Sequence, residues 1–212
     1  MSLRRTGSLG IDGGRIRLGR VSSAADLVDA LLAFDAERAH ALLDPLPGRS
    51  TPDAVLAEHV LPALREIGDR WERGDASVAQ EHFASNLLRT FLLGLAKHWD
   101  LGSGRRALLA CAPNELHDLP LIAFGIALRS RGWRILFLGV DTPYETTAAA
   151  ARALDPDLVV LSSSVERDVT AAELALVAAR RLALGGVWPD LPGLDADILR
   201  GDPVSAAAAV SG

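Results

Sequence analysis

The sequence predicts two parts: an all-helical bundle, then an α/β domain with a parallel, doubly wound sheet. In the first part, apolar side chains recur every three or four positions, the spacing that places them on one face of a helix. In the second part, short apolar runs alternate with helical stretches of about 10–15 residues, a pattern typical of βαβ units. We place the boundary near Leu101–Gly104, between a bundle at 23–100 and an α/β domain at 105–212.

The composition limits the class of protein. Hydrophobic residues make up 49% of the 212 residues and charged residues 23%, which is enough to bury a core. The net charge of −5 argues against a chain whose main role is to bind phosphate backbones. The single cysteine, Cys111, cannot form an intrachain disulfide, and no apolar run approaches the roughly 20 residues that cross a bilayer. We therefore expect a cytoplasmic protein without a membrane segment or a zinc site.

The helical part follows a segment rich in Gly and Arg, residues 1–22, which we expect to be a flexible arm or linker. Ser23 is the predicted N-cap of a first helix, and a short second helix ends before Pro45. Thr51 directly before Pro52 is the order that opens a third helix.

The last two helices of the bundle carry clear local signals. Pro62 predicts a kink in the third helix, because a proline inside a helix lacks the backbone donor. Ser77 with Gln80 three positions later forms a capping box, which predicts the start of a fourth helix running to about residue 99. Four helices joined by short loops predict a bundle.

Three apolar runs of the second part are predicted strands: ALLACA (107–112), RILFLGV (134–140) and DLVVLSSS (157–164). Predicted helices follow them: LIAFGIALRSRG (121–132), DTPYETTAAAARAL (141–154) and TAAELALVAARRLA (170–183). Open parallel sheets bind ligands at the carboxyl ends of their strands. We therefore expect the ligand near the residues that follow these runs, with the Gly185–Gly186 pair further along the chain.

A carboxylate interrupts the apolar stripe of the fourth helix. Glu81 falls on the line that Val78 begins and Leu88 continues, and His82 stands beside it. Trp71 ends the apolar stripe of the preceding helix. A carboxylate in a core position is costly unless it has a partner or faces a cavity. Either these three polar and aromatic residues border a cavity at one end of the bundle, or Glu81 is a satisfied core residue beside an exposed histidine.

His117 lies in the loop after the first strand, at the predicted mouth of the sheet. Glu115 precedes it by two residues and Asp118 follows it. A carboxylate beside a histidine fixes the tautomer of the ring and raises its basicity, which suits a metal ligand or a general base, although a surface histidine has the same neighbours. The sequence has no GxGxxG, GxxxxGK[ST] or GxSxG motif, so dinucleotide, P-loop and serine-hydrolase sites are not predicted.

Two sets of residues resemble a known family. The segment LPALREIGDRWERGDASVAQEH (61–82) is similar to the helical cap domain of cobalamin-binding regulators, whose Trp-x9-Glu-His pattern is present as Trp71, Glu81 and His82. The second part resembles the Rossmann-like, flavodoxin-like cobalamin-binding domain of methionine synthase and corrinoid proteins. That domain carries an Asp/Glu-x-His-x-x-Gly motif, then Ser-x-Leu/Thr and Gly-Gly. The corresponding segments here are Glu115–Pro120, Ser162–Ser164 and Gly185–Gly186.

Over roughly residues 24–190, the resemblance is to the sensory region of CarH/LitR-type regulators, which join these two domains to a MerR-type DNA-binding domain. It implies that His117 is the lower axial ligand of cobalt, with Glu115 and Ser162 orienting its far ring nitrogen. It also implies a nucleotide tail beside the serines and the glycine pair, and an upper adenosyl group covered by the helical cap. The implied cofactor-binding residues are Trp71, Glu81, His82, Glu115, His117, Asp118, Ser162, Ser164, Gly185 and Gly186.

The resemblance implies a sensor rather than an enzyme. It would bind adenosylcobalamin and regulate transcription in response to light or cobalamin, through cap movement and a change of homo-oligomeric state. DNA would be contacted through a domain outside this chain or through a partner protein. Two alternatives stay open: a corrinoid carrier for methyl transfer, and a module that has lost cobalamin and acts by binding proteins.

Four positions depart from the family pattern, one of them Ser164, where the family often has leucine or threonine. Pro120 replaces the glycine of the histidine motif, and Asn114 stands where the family usually has glycine. Glu72 rather than histidine follows Trp71. Pro120 and Asn114 are the features that best support a module that has lost cobalamin.

Overall fold

The structure, a computed structural model, describes residues 23–166, 168–177 and 180–212, so the expected arm at 1–22 lies outside the described residues. The helical part consists of α1 (Ala24–Leu32), α2 (Ala36–Leu43), α3 (Pro52–Val55), α4 (Leu61–Glu72) and α5 (Val78–Leu95). Helix α1 packs against α2, α4 and α5, so the four predicted helical segments form one bundle.

The predicted helix starts are confirmed. The Ser23 side chain accepts a hydrogen bond from the backbone of Asp26 at the start of α1, and Asp26 bonds back to the Ser23 backbone. Ser77 and Gln80 form the same reciprocal capping box at the start of α5. Thr51 caps α3 through Ala54. These caps satisfy backbone donors that the first turn of a helix leaves unpaired.

The third predicted helix is distorted just before Pro62. A π-helical turn, Leu56–Val60, joins α3 to α4, and Pro62 lies in the first turn of α4. A proline inside a helix lacks an N–H and crowds the carbonyl four residues earlier. That carbonyl belongs to the π turn, whose wider winding accommodates the ring. The expected kink therefore takes the form of a local change of helix type.

The second part is a five-stranded sheet with every neighbouring pair parallel and the order β2-β1-β3-β4-β5. The strands are β1 (Arg106–Cys111), β2 (Arg134–Gly139), β3 (Leu158–Ser163), β4 (Leu182–Gly186) and β5 (Asp197–Leu199). The helices are α6 (Leu119–Arg129), α7 (Tyr144–Leu154), α8 (Ala171–Ala175) and α9 (Pro203–Ser211). This is the flavodoxin-like order, and the predicted fold class is confirmed.

One predicted element is wrong. The stretch 170–183 was expected to be helical throughout, but α8 ends at Ala175 and β4 begins at Leu182. Leu and Ala fit either helix or strand, so the apolar pattern alone does not separate the two. In the fold, Leu182 and Ala183 pair with Val159 and Val160 of β3 and are buried between the layers. Pairing with the neighbouring strand therefore decides the conformation.

Alternate residues of β1 belong to two apolar clusters. Leu108 and Ala110 face the layer that contains α7 and α8. Ala107, Leu109 and Cys111 belong to a larger cluster that includes α6, α9 and the helical part. This larger cluster continues without interruption from the bundle into the sheet domain, so one core joins the two parts.

No helix in the described ranges is both long and apolar enough to cross a membrane.

Candidate functional site

The loop between β1 and α6 carries His117 to the carboxyl edge of the sheet. In an order of 2-1-3-4-5, the chain leaves β1 and β3 in opposite directions, and the resulting crevice is where such sheets bind ligands. Two backbone-directed hydrogen bonds hold this loop to the loop after β2. Asn114 N donates to Asp141 Oδ1 over 2.8 Å, and Asp141 N donates to the Glu115 carbonyl over 2.9 Å.

His117, Glu115 and Ser164 form a hydrogen-bonded cluster in this crevice. His117 Nδ1 lies 2.7 Å from Glu115 Oε1 and 3.2 Å from Ser164 Oγ. Ser164 donates to Glu115 Oε2 from its backbone nitrogen over 2.5 Å and from its hydroxyl over 2.6 Å. Serine thus fixes the carboxylate, and the carboxylate fixes the imidazole.

This cluster determines the tautomer of His117. Burial would raise the pKa of Glu115, but hydrogen bonds from Ser164 and His117 outweigh it and lower that pKa to about 2. The ionised carboxylate can only accept, so Nδ1 of the imidazole must carry the proton. In the neutral ring, Nε2 then carries the lone pair, and the side chain is 75% exposed. His117 is therefore prepared to offer Nε2 to a metal centre.

The orienting serine differs from the predicted one. The expectation placed Ser162 beside the far nitrogen of His117, but among the described residues the serine bonded to Glu115 and His117 is Ser164. Ser162 lies within β3, where its carbonyl accepts from Ala112. Ser164 is the first residue after β3, and its backbone nitrogen and hydroxyl both bond to Glu115 in the loop after β1. Sequence alone does not show which of three consecutive serines ends the strand.

Two pockets meet at His117. The first, here called the sheet pocket, has a volume of about 180 Å³ and enters between the sheet edge and helices α6 and α9. The second, the interdomain cleft, has a volume of about 760 Å³ and lies between α5 and the sheet edge. His117, Pro120 and Ser164 line both. A ligand held by His117 could therefore extend in two directions at once.

The glycine pair shapes the sheet pocket. Gly186 has φ of +89°, and a Cβ there would lie 1.9 Å from the Ser163 carbonyl oxygen. At Gly185 a Cβ would meet only ordinary contacts, at 3.8 Å or more, with Leu199 and Leu161. Gly186 is therefore required by the backbone, whereas Gly185 leaves space in the pocket wall. The lining also includes Ser162 and the start of α9, so a slender group can pass between strand ends and helix.

The interdomain cleft has a second polar cluster on its helical side. Glu81 accepts a hydrogen bond from Ser85 Oγ over 2.6 Å and lies 2.6 Å from His82 Nδ1. Burial raises the pKa of Glu81, but the hydrogen bonds from Ser85 and His82, with the His82 and His117 charges, lower it overall. Glu81 and His82 line the same cleft as His117. Glu81 is thus both satisfied by neighbours and placed beside a cavity, which combines the two alternatives left open by the sequence.

Trp71 is not among the residues that line either pocket at His117. It lies near the end of α4, and its side chain is 48% exposed. Val78, expected on the buried stripe of the fourth helix, is also exposed. The structure therefore brings Glu81 and His82 to the site, and it places Trp71 at the surface of the bundle.

The two departures in the histidine loop fit the backbone. Asn114 has φ of +59°, the left-handed conformation that glycine favours and that asparagine tolerates better than most residues. Pro120 lies in the first turn of α6, where the missing N–H breaks no helical hydrogen bond. Neither substitution closes the pockets around His117.

Arg89 is a site residue that the sequence did not indicate. Its guanidinium bonds to both carboxylate oxygens of Asp118, the residue after His117. Arg89 follows Glu81 by eight residues and Ser85 by four, so all three lie on one face of α5. This spacing in steps of four residues from Glu81 was the sequence signal that could have placed Arg89 at the site.

Comparisons with known proteins show the family to which the two parts of the chain belong. Residues 23–92 and residues 105–191 each match a family model described as "B12 binding domain". The "HTH-type transcriptional repressor CarH" of Myxococcus xanthus is 35% identical over 164 residues, covering 76% of this chain and 55% of that protein. The "HTH-type transcriptional repressor CarA" of the same organism is 36% identical over 134 residues, covering 61% and 44%.

The chain thus spans about half the length of the curated relatives it matches. Among solved structures, the monomethylamine corrinoid protein of Methanosarcina barkeri superposes with a TM-score of 0.66 at 18% identity. The match covers 87% of this chain and 95% of that chain, and it shows a common fold.

Proposed function

Because the chain belongs to the B12-binding domain family, with a matching domain in each of its two parts, we propose that it is the cobalamin-binding sensory region of a CarH-like transcriptional regulator. The observation that carries the proposal is His117, whose Nδ1 is held by an ionised glutamate and whose Nε2 opens where two pockets meet. An exposed histidine with a fixed tautomer, lining two open pockets, supports the binding of a base-displaced cobalamin.

The residues present fit the cofactor. His117 would be the protein ligand of cobalt, and Glu115 with Ser164 would keep the imidazole oriented. The displaced nucleotide tail would enter the sheet pocket, where Gly185 leaves the wall open. The ring would lie in the interdomain cleft, beneath Glu81 and His82.

Bound adenosylcobalamin supplies a cobalt–carbon bond that light breaks, and we propose that the helical part detects its loss. Glu81 and His82 line the cleft and would contact the adenosyl group, so their contacts would differ between the intact and the broken cofactor. A ligand shifts a conformational equilibrium only through such differential contacts. Glu72 follows Trp71, so a histidine at that position does not take part in the response. A change of homo-oligomeric state would pass the signal on.

The test is reconstitution. The chain is purified with adenosylcobalamin in the dark, its visible spectrum and molar mass are recorded, and both are recorded again after illumination. We expect a protein-nitrogen ligand in the dark spectrum, loss of that ligand in His117→Ala, and a light-dependent change in mass. Absence of retained cobalamin in the wild-type chain would refute the proposal, as would an unchanged dark spectrum in His117→Ala.

A corrinoid carrier for methyl transfer is the second candidate, because a corrinoid protein has the same fold. The identity to the two repressors, 35% and 36%, favours the sensor. The same experiment separates them, since a carrier would retain cobalamin without a light-dependent change in mass. A module that has lost the cofactor is disfavoured by the open pockets at His117.

A further inference from the structure

Arg89 and Asp118 form an ion pair that joins the two parts of the molecule beside His117. Arg89 lies on α5, and Asp118 follows His117 directly, at the start of α6. Arg89 Nε lies 3.1 and 3.0 Å from the two Asp118 oxygens, and Nη2 lies 2.8 Å from Oδ2. A guanidinium that contacts both oxygens of one carboxylate fixes orientation as well as distance.

Asp118 is turned away from the role that its position favours. It occupies the N-cap of α6, where an aspartate usually accepts a hydrogen bond from the second or third backbone N–H of the helix. The Asp118 side chain makes no such capping bond. Pro120 holds the second position and has no N–H to donate. Both carboxylate oxygens are thus directed to Arg89 on the other domain.

Burial makes this pair hard to break. The Asp118 side chain is only 4% exposed, whereas that of Arg89 is 43% exposed. The hydrogen bonds that the Asp118 side chain makes within the described part of the chain all come from Arg89. Removing the guanidinium would leave a buried carboxylate without a partner, which is strongly unfavourable. The start of α6 and the middle of α5 are therefore held at a fixed separation.

The pair also lies on the face of α5 that borders the interdomain cleft. Glu81, Ser85 and Arg89 succeed one another at single helical turns, and all three line that cleft with His117. A displacement of α5 would therefore act on the upper cluster and on the His117 loop at the same time.

Building on the proposed function, we propose that Arg89 is a positioning residue. It holds the His117 loop in the position required for cobalt ligation and couples that loop to α5. It acts through Asp118 and does not itself contact the reacting bond. Substitution of residues that orient a metal-bound histidine typically weakens metal binding about 10–100-fold, and we expect Arg89→Ala to fall in this range.

The first measurement uses the chain without cofactor. Amide hydrogen exchange of residues 115–122 reports on the His117 loop. Within this segment Ile122 N donates to the Asp118 carbonyl, so its exchange rate depends on how firmly Asp118 is held. We expect at least tenfold faster exchange there in Arg89→Ala and an intermediate rate in Arg89→Lys, which keeps the charge but loses the planar fork. The double variant Arg89→Ala/Asp118→Asn removes both charges, so it avoids a buried unpaired carboxylate if the single variant does not fold.

The second measurement adds adenosylcobalamin in the dark and records the dissociation constant and the visible spectrum. We expect at least tenfold weaker binding and a smaller protein-nitrogen-ligated fraction in Arg89→Ala and in the double variant, with partial recovery in Arg89→Lys. Arg70→Ala is the matched control, because Arg70 pairs with Glu66 within α4 alone. It should leave both readouts within twofold of wild type.

Two results would overturn the proposal: loop exchange in Arg89→Ala equal to that in Arg70→Ala, or faster exchange with unchanged affinity and spectrum. If the wild-type chain bound no cobalamin, the proposed function would fail. The exchange data would still decide whether Arg89 positions the loop.

Discussion

Gly186 and Gly185 allow backbone strain to be separated from ligand space at adjacent positions. In Gly186→Ala, the new Cβ would lie 1.9 Å from the Ser163 carbonyl oxygen, at a φ of +89°. That oxygen also accepts a hydrogen bond from Val187 N over 2.8 Å. The substitution must therefore move the backbone at the junction of β3 and β4.

The expected loss of stability follows from the backbone conformation at Gly186 and from the hydrogen bond of Val187. A left-handed conformation costs a residue with a side chain about 1–3 kcal/mol, and a weakened backbone hydrogen bond costs about 1 kcal/mol. We expect Gly186→Ala to lower the free energy of unfolding by about 2–4 kcal/mol. Gly185→Ala should change it by less than about 1 kcal/mol, because the new Cβ meets ordinary contacts at 3.8 and 3.9 Å.

The assay combines urea unfolding with two ligands. Gly185→Ala should weaken adenosylcobalamin roughly tenfold or more, because its methyl group narrows the sheet pocket. It should leave the binding of cobinamide, which has no nucleotide tail, unchanged. Equal stability of the two variants would refute the reasoning about the backbone, and equal losses for both ligands would refute the assignment of the sheet pocket to the tail.

Three further results are expected. Ser164→Ala removes the hydroxyl that contacts Glu115 and His117, and it should weaken cobalamin binding roughly tenfold. Ser162→Ala should leave the spectrum of bound cobalamin unchanged. The opposite result for the two variants would make Ser162 the orienting serine. Burial, assisted by the Asp118 and Glu115 charges, raises the pKa of Cys111 to about 12. Iodoacetamide at pH 8 should therefore alkylate the native chain about a thousandfold more slowly than the urea-unfolded chain. Equal alkylation rates would contradict the burial of this thiol. Asp202→Ala removes the cap of α9 and should cost about 1 kcal/mol in urea unfolding. The hydrogen bond from the Ser205 hydroxyl lowers the pKa of Asp202 below 3.8, so its contribution is present above that pH and fades in more acidic solution; a difference between variant and wild type that persisted in acid would contradict it.

The sequence predicted those elements whose formation depends only on residues close together in the chain. Three helices begin at a capping side chain that accepts a hydrogen bond from the backbone three residues later: Ser23, Thr51 and Ser77. The alternation of apolar runs and helices predicted the parallel sheet. The stretch that contains β4 was assigned wrongly, because Leu182 and Ala183 become a strand only through pairing with β3, far away in sequence.

The candidate site divides in the same way. Glu115 and His117 are two residues apart, so their contact could be expected from the sequence. The choice of Ser164 over Ser162 depends on where β3 ends against its neighbours. The partner of Asp118 lies 29 residues earlier on a different domain, and no local pattern records such a distance.

The apolar cluster shared by the bundle and the sheet domain constrains how a signal could leave the cleft. Helices α5 and α6 pack against each other within that cluster, so a hinge that opened them would wet its interior. Exposing even roughly 400 Å² of apolar surface costs on the order of 10 kcal/mol, more than the roughly 1–3 kcal/mol by which a ligand typically biases a conformational equilibrium. Packed helices can instead shear past one another by small steps while their interface stays dry. A partner of this chain would then sense a shifted helix on the outer surface of the molecule rather than an opened cleft.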